Sequence, residues 1–420
     1  MPSLPHRQSG SATTTAAARP DSTSTSVPPG TTGWAAGWST SMQRPGAGFA
    51  PNWSEQGFAL QSVRQVVRLS VGGDAVRVRL SNLHGTGPLT VAGATVARSA
   101  GGAAVRADGL RHLTVAGERT FTVPAGAECA SDPVPFGTAA LERLAVTLYL
   151  AAPTGPATYH AQALATGYRA TGDHRADAGG SAFTETTQSW YYLSGIDVSG
   201  GAARPSGIAL FGDSLTDGTG SSPDADRRFP DALAERLAAT GRPRAVLNQG
   251  IGGNRVTVDS AWLGDRATAR FRRDVLGQPG LGTVVILLGI NDIGISEVAG
   301  VSPFPVFEPY TEVSAEQVIA GYRNLIRQGR AAGLRIVGAT VLPAGPSAFS
   351  TARSEAKRAV INSWIRTSGG YDAVVDLDRA LADPAAPDRL NPAFDSGDHL
   401  HLNDTGYRAM ADAVDLADLG

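Results

Sequence analysis

Gly207-Ile208-Ala209-Leu210-Phe211-Gly212-Asp213-Ser214-Leu215-Thr216-Asp217-Gly218 is the stretch on which the fold turns. An apolar run ends at Gly-Asp-Ser and gives way to small, polar, turn-forming residues. Such a run reads as a buried strand that delivers a serine to the rim of a sheet. A hydroxyl is a weak nucleophile until a neighbouring base accepts its proton, and the base works best when a third group orients it. Far downstream, Ser396-Gly397-Asp398-His399-Leu400-His401-Leu402-Asn403 supplies a histidine with a carboxylate three residues before it. The two stretches together point to serine-dependent acyl chemistry.

Beyond Ser214 the chain alternates strands with helices. Apolar strands are predicted at 208–211, 245–247, 284–288, 336–341 and 373–375. Ser314 with Gln317 forms a capping box, followed by Val318, Ile319, Tyr322, Leu325 and Ile326 on one helical face. Ala356, Val360, Ile361, Trp364 and Ile365 form a second stripe, and both stripes read as core packing. Strand–helix alternation implies parallel pairing in a three-layer α/β domain, with ligands at the carboxyl ends of the strands.

The front half differs. Val76-Arg77-Val78-Arg79-Leu80 alternates apolar with charged residues, and Leu144, Val146, Leu148 and Leu150 alternate with Ala145, Thr147 and Tyr149. Clusters such as Gly72-Gly73-Asp74 and Gly85-Thr86-Gly87-Pro88 separate the runs. Period-two runs with frequent turn signals indicate a β-sandwich, jelly-roll-like, over residues 34–200. Residues 1–33 are rich in Ser, Thr, Ala, Pro and Gly and read as a disordered tail. The α/β domain is expected over 201–420.

Composition narrows the function classes. A formal net charge of −2 and the absence of a basic stripe argue against nucleic-acid binding. Cys129 is the only cysteine, so an intrachain disulfide is impossible, and it reads as an apolar filler. No apolar run approaches the about 18 residues of a membrane span, and no export signal is legible, so the chain as written is expected in the cytoplasm, or secreted if a signal is missing.

Three further motifs follow predicted strands. Asn248-Gln249-Gly250-Ile251-Gly252-Gly253-Asn254 is either a tight loop or a place where the Gly253 N–H meets a developing oxyanion. In Gly289-Ile290-Asn291-Asp292, the Asn291 amide is a good oxyanion donor, the alternative being an Asx turn, and Asp292 reads as a brace for its loop. Ser214 itself could be a helix N-cap. In the last motif the three-residue spacing lets Asp398 meet one nitrogen of His401 while the other faces Ser214. His399 competes as the base and Asp395 as its orienter. Arg227-Arg228 reads as a solvated pair, or as a preference for acidic substrates. No second His/Asp cluster accompanies the last motif, and no Walker-type lysine follows the Gly-rich loop, so neither a metal nor a phosphate cofactor is expected.

Gly212-Asp213-Ser214-Leu215, Gly253, Gly289-Ile290-Asn291-Asp292 and the Asp398/His401 pair together closely resemble the GDSL, or SGNH, hydrolase superfamily, over about residues 205–418. The resemblance implies a flavodoxin-like sheet of about five parallel strands. It implies Ser214 as nucleophile with Asp398 and His401, and oxyanion donors at Ser214 N–H, Gly253 N–H and the Asn291 side chain. Trp34 to Gln43, Arg64-Gln65-Val66-Val67-Arg68 and Arg77 to Asn82 resemble the β-domain preceding the catalytic domain in a bacterial subgroup. That subgroup holds arylesterases and acylhydrolases, some near xylan-degrading systems, and acyltransferases.

Three functions compete. The first is a serine ester hydrolase acting on small-acyl, aryl or carbohydrate esters. The second is an acyltransferase that hands the acyl group to an alcohol acceptor. Its motivation is the segment Ser296–Val313, whose Phe304, Phe307 and Tyr310 form either a lid or a self-packed surface loop. The third is a non-catalytic carbohydrate-binding protein using Trp34, Trp38, Trp53 and Trp190. The oligomeric state is not encoded in any motif.

Overall fold

The computed structural model describes residues 33–200, 206–300 and 307–420. Apart from Gly33, the expected tail lies outside the described residues, as does Phe304. Gly207–Gly212 forms a strand in which every residue is buried, as its apolar run requires. It pairs with Val246–Gly250 on one side and Leu281–Leu287 on the other, and Arg335–Ala339 and Ala373–Val375 complete a five-stranded sheet with every pair parallel. Numbered by chain order the strands lie 2-1-3-4-5, the flavodoxin-like order. In register, Gly212 stands beside Gly250 and Leu287, so three neighbouring strands end at one level. The segments holding Ser214, Gly253 and Asn291 leave the sheet from that shared edge.

The strand limits differ from the sequence reading for identifiable reasons. The third strand stops at Leu287 because the Leu288 carbonyl accepts from Tyr322 Oη (2.6 Å). The fourth stops at Ala339 because the Asn362 amide takes over both the N–H and the carbonyl of Val341 (2.8 Å each). The second runs on to Gly250, through Asn248 and Gln249, because the buried Gln249 amide is bonded at both ends: Oε1 accepts from Ser41 Oγ (2.8 Å) and Nε2 donates to Ser39 Oγ (2.6 Å).

The helix Ala315–Ala331 starts at the expected capping box, and its stripe from Val318 to Ile326 is buried. The helix Ala352–Thr367 corrects the second stripe. Ile361 and Ile365 are buried, but Ala356 and Val360 face solvent, and Arg358 and Asn362 take their place inside. Arg358 is held there by Asp378 and Glu355 (2.8 Å to the latter). Polar residues invisible to an apolar-periodicity argument thus define that face.

The front half is strand-rich. One antiparallel sheet runs Trp34–Ser39, Leu193–Ser199, Gly73–Ser81, Val134–Thr138; another joins Glu185–Thr187, Gly167–Thr171, Gln61–Arg68, Arg143–Leu150 and Gly93–Gly101. Val76, Val78 and Leu80 of the first share a core with Val63, Leu144, Val146 and Leu148 of the second. Trp38, Trp53 and Trp190 are buried in that core, and Trp34 lies under the Arg77 guanidinium. Cys129 is half-buried, and burial pushes its thiol up to about 11, which suits a filler and not a nucleophile.

The strand-rich half covers the exposed edge strand Val246–Gly250 of the parallel sheet. Beyond the Gln249 bonds, Val246 N–H donates to Ser70 Oγ (2.9 Å), and Ala245 is buried in the strand-rich core. An open sheet edge is thereby closed within the chain. Gln249→Leu would leave Ser39 and Ser41 without their shared partner. We expect it to lower the unfolding free energy by about 1–3 kcal/mol, read by chemical denaturation, whereas Gln328→Leu on the half-buried face of the Ala315–Ala331 helix should change it by less.

Candidate active site

Asp213 is the N-cap of a one-turn helix, Ser214–Asp217, and its Oδ1 accepts from Leu215 N–H (3.0 Å). The cap is therefore Asp213, and the Ser214 hydroxyl is left available for other work. Ser214 Oγ lies 2.9 Å from His401 Nε2, and His401 Nδ1 lies 2.6 Å from Asp398 Oδ2. Asp398 Oδ1 in turn accepts from the backbone N–H groups of Leu400 and His401 (3.0 and 2.8 Å) and from Ser396 Oγ (3.2 Å). Partial burial would raise the Asp398 carboxyl, but the hydrogen bond and charge of His401 and the two N–H groups hold it far below the usual carboxylate range. It stays ionised and fixes the imidazole with Nδ1 as donor, leaving Nε2 to accept from Ser214.

The competing pair is tied up elsewhere. His399 sits in the left-handed region (φ 64°), and its Nδ1 meets Asp395 Oδ2 at 2.6 Å. Asp395 also accepts from the N–H groups of Gly397 and His399 (2.7 and 3.0 Å). Two carboxylates thus each brace a stretch of the same loop, and only the second one's histidine reaches Ser214.

Gly253 has φ 74°, a conformation that glycine adopts without strain. Among the described residues nothing accepts from its N–H or from that of Ser214. Asn291 stands in the helix Ile290–Gly294, whose N-cap Gly289 has φ 117°. Its Nδ2 donates to Asn254 O (3.1 Å), which lays the amide against the residue after Gly253 and leaves a second N–H. Asp292 braces the loop as read from sequence: its carboxylate accepts from Val256 N–H (2.8 Å) and from Thr257 N–H and Oγ1 (3.1 and 2.9 Å).

Two groups escaped the sequence reading. Asp217, read only as a turn residue, is buried, and its Oδ1 meets His160 Nε2 at 3.0 Å while Oδ2 accepts from Gly252 N–H (3.0 Å). His160 comes from the strand-rich half and also contacts Ser41 O through Nδ1 (2.9 Å). Burial pushes that imidazole down, yet the charge and hydrogen bond of Asp217 and the Ser41 carbonyl outweigh it and raise it. Arg270 is fully buried over the Phe211 ring and donates to Gly212 O (2.7 Å), Gln249 O (2.9 Å) and Asn254 Oδ1 (2.8 Å). A lone histidine and a helical arginine carry no local signal of this. Arg227-Arg228 needs correction: Arg227 is exposed, but Arg228 is buried and gripped by Asp231 at 2.6 and 3.1 Å.

A serine hydroxyl, an imidazole and a carboxylate thus stand in hydrogen-bonded series at the carboxyl edge of an open α/β sheet, the edge at which such sheets take their ligands. Residues 210–409 match the family model described as GDSL-like lipase/acylhydrolase, and this part of the chain is a GDSL-like lipase/acylhydrolase domain. Among solved structures the chain is similar to an α/β-hydrolase enzyme from the metagenome of Lake Arreo, Spain (23% identity, 52% of this chain and 97% of that one, TM-score 0.39). It is also similar to an acetyl xylan esterase (22%, 49% and 96%, TM-score 0.37) and to a carbohydrate acetylesterase from Sinorhizobium meliloti (16%, 50% and 96%, TM-score 0.38). No curated protein matches the chain.

Asp213 generates a pH prediction. Burial, with the Asp292 charge reinforcing it, pushes its carboxyl up to about 7 against the Leu215 N–H, and its buried Oδ2 has no hydrogen-bond partner among the described residues. An acid whose folded pKa is raised binds its proton more tightly folded than unfolded. Stability therefore falls as pH rises from about 4 to about 7, by up to about 1.4 kcal/mol per unit. Asp213→Asn keeps the cap acceptor and should flatten that fall, so its stability relative to wild type rises with pH in denaturation curves at pH 5, 6 and 7.

Proposed function

We propose that the protein is a serine-dependent ester hydrolase that works through an acyl-enzyme. The observation that carries this reading is the 2.9 Å contact between His401 Nε2 and Ser214 Oγ, with Asp398 on the opposite nitrogen. Ser214 Oγ attacks the ester carbonyl carbon as its proton passes to His401 Nε2. Asp398 stabilises the imidazolium. The oxyanion is received by the N–H groups of Ser214 and Gly253 and by the Asn291 amide. On collapse the leaving alcohol takes the proton from His401, and a water then hydrolyses the acyl-serine with His401 again as base. The register of Gly212, Gly250 and Leu287 supports the convergence of the three oxyanion groups on one edge.

In this reading residues 34–200 are a β-sandwich domain and 201–420 a three-layer α/β/α domain. The shared core of the two antiparallel sheets supports the first, and the 2-1-3-4-5 strand order the second. A carbohydrate-binding role for the strand-rich half is disfavoured, because Trp38, Trp53 and Trp190 are spent in the core. Small-molecule esters, aryl or carbohydrate, are the substrate class. Transfer to an alcohol acceptor uses the same acyl-serine and differs only in what resolves it.

The test is turnover of p-nitrophenyl esters from acetate to octanoate, with product analysis in mixed alcohols. Ser214→Ala should abolish turnover, and Asn291→Ala should lower kcat by about 10²–10³-fold with a much smaller change in KM. Alcohol esters among the products would replace hydrolysis by transfer. Undiminished turnover by pure Ser214→Ala would overturn the mechanism.

A further inference from the structure

Three phenylalanine rings run beside two of the three proposed oxyanion donors, Gly253 and Asn291. Phe49, from the strand-rich half, lies over the loop at Gly252, next to Gly253: a Cβ at Gly252 would stand 3.1 Å from Phe49 Cε2 and 2.5 Å from Gln162 Oε1. Phe307 follows, its ring centroid 6.5 Å from that of Phe49, and Phe349 stands 6.1 Å beyond Phe307. Phe349 closes on the last residue of the Asn291 helix, where a Cβ at Gly294 would meet its Cγ at 2.6 Å. The arc thus begins at the Gly253 loop and ends at the Asn291 helix. Phe349 is buried and Phe307 half-buried, whereas Phe49 is 44% exposed, one of only three large apolar side chains so exposed among the described residues. Among the described residues, Phe307 makes ring contacts with Phe49 and Phe349.

An exposed ring that is backed by a second ring and seated on a glycine presents part of its face to solvent. Water gains nothing there, and a flat apolar group gains both burial and ring–ring contact. We propose that Phe49 is a specificity-determining residue, contributed by the strand-rich half, and that this site takes esters carrying a flat aromatic group in preference to acetylated sugars. The inference rests on the assignment of Gly253 and Asn291 to the carbonyl oxygen. A carbonyl held by those two donors has its acyl group on one side and its alcohol on the other. The shared chemistry is an aromatic group bonded to the ester, and the source is settled by substrate choice. Gln162 fixes the loop side of the wall: its Oε1 accepts from Thr219 Oγ1 (2.8 Å), one turn beyond Ser214.

The experiment compares kcat/KM for methyl acetate, phenyl acetate, methyl benzoate and an acetylated xylobiose in wild type, Phe49→Ala and Phe49→Tyr. Wild type should prefer phenyl acetate or methyl benzoate to the sugar ester, and the aryl ester on which Phe49→Ala loses most identifies the contact: phenyl acetate on the alcohol side, methyl benzoate on the acyl side. Phe49→Ala should lose about tenfold more on the preferred aryl ester than on methyl acetate, mainly in KM, and Phe49→Tyr should retain the preference. Equal losses on all four esters, or a preference for the sugar ester that Phe49→Ala leaves in place, would overturn the proposal while ester hydrolysis stands. No turnover of any ester by wild type would instead remove the proposed function, and this inference with it. Unchanged thermal unfolding of Phe49→Ala, expected for so exposed a ring, separates contact loss from misfolding.

Discussion

The buried carboxylate of Asp217 holds together the pieces on which everything else depends. It ends the single turn that begins with Ser214, its Oδ1 meets His160 of the strand-rich half, and its Oδ2 receives the N–H of Gly252. One side chain therefore sets the Ser214 turn, the Gly250–Asn254 loop and the neighbouring half of the molecule against each other. Burial of a carboxylate and an imidazole is unfavourable unless each is paired and hydrogen-bonded, and here each has a second partner as well. Removing either partner would leave the other buried without its main hydrogen-bond partner. The strand-rich half accordingly belongs to the frame of the site.

A second buried charge does the same for the strand ends. Arg270 reaches the carbonyls of Gly212 and Gln249, at the ends of two adjacent parallel strands, and the side chain of Asn254. Asn254 O is the acceptor for Asn291, and Asp292, one residue on, ties the same loop from the other side. The two loops are thus cross-linked by polar groups. That rigidity suits the proposed acyl chemistry, in which donors must stand ready for charge that develops only in the transition state. Burial also pushes Asp213 to about 7 and Asp292 to about 6, so the site's framework stores stability that depends on pH.

Much of this was legible in the sequence. The apolar run to Phe211, the strand–helix alternation and the capping box at Ser314 define the parallel sheet, because each is a local pattern with a local cause. Ser214, Asp398 and His401 could be named from motif and spacing, and the structure brings these three together. What stayed hidden depends on long-range partners. The second strand runs on through Gln249 because of serines some two hundred residues earlier in the chain. Arg358 and Asn362 occupy a helix face that apolar periodicity assigns to Ala356 and Val360. His160 lies far in sequence from Asp217, and a lone histidine in a strand has no pattern to distinguish it. Spacing alone left His399 as a competitor of His401, since both follow an aspartate closely and both bond to one, and it is the contact with Ser214 that separates them.

The most direct measurement is covalent trapping. The protein is incubated with a fluorophosphonate ester, and the site of modification is mapped by peptide mass spectrometry in wild type and His401→Ala. The account predicts a single adduct on Ser214 in wild type and labelling slowed by several orders of magnitude in His401→Ala, because the hydroxyl then has no base. An adduct on another residue, or equal labelling rates in the two proteins, would contradict it.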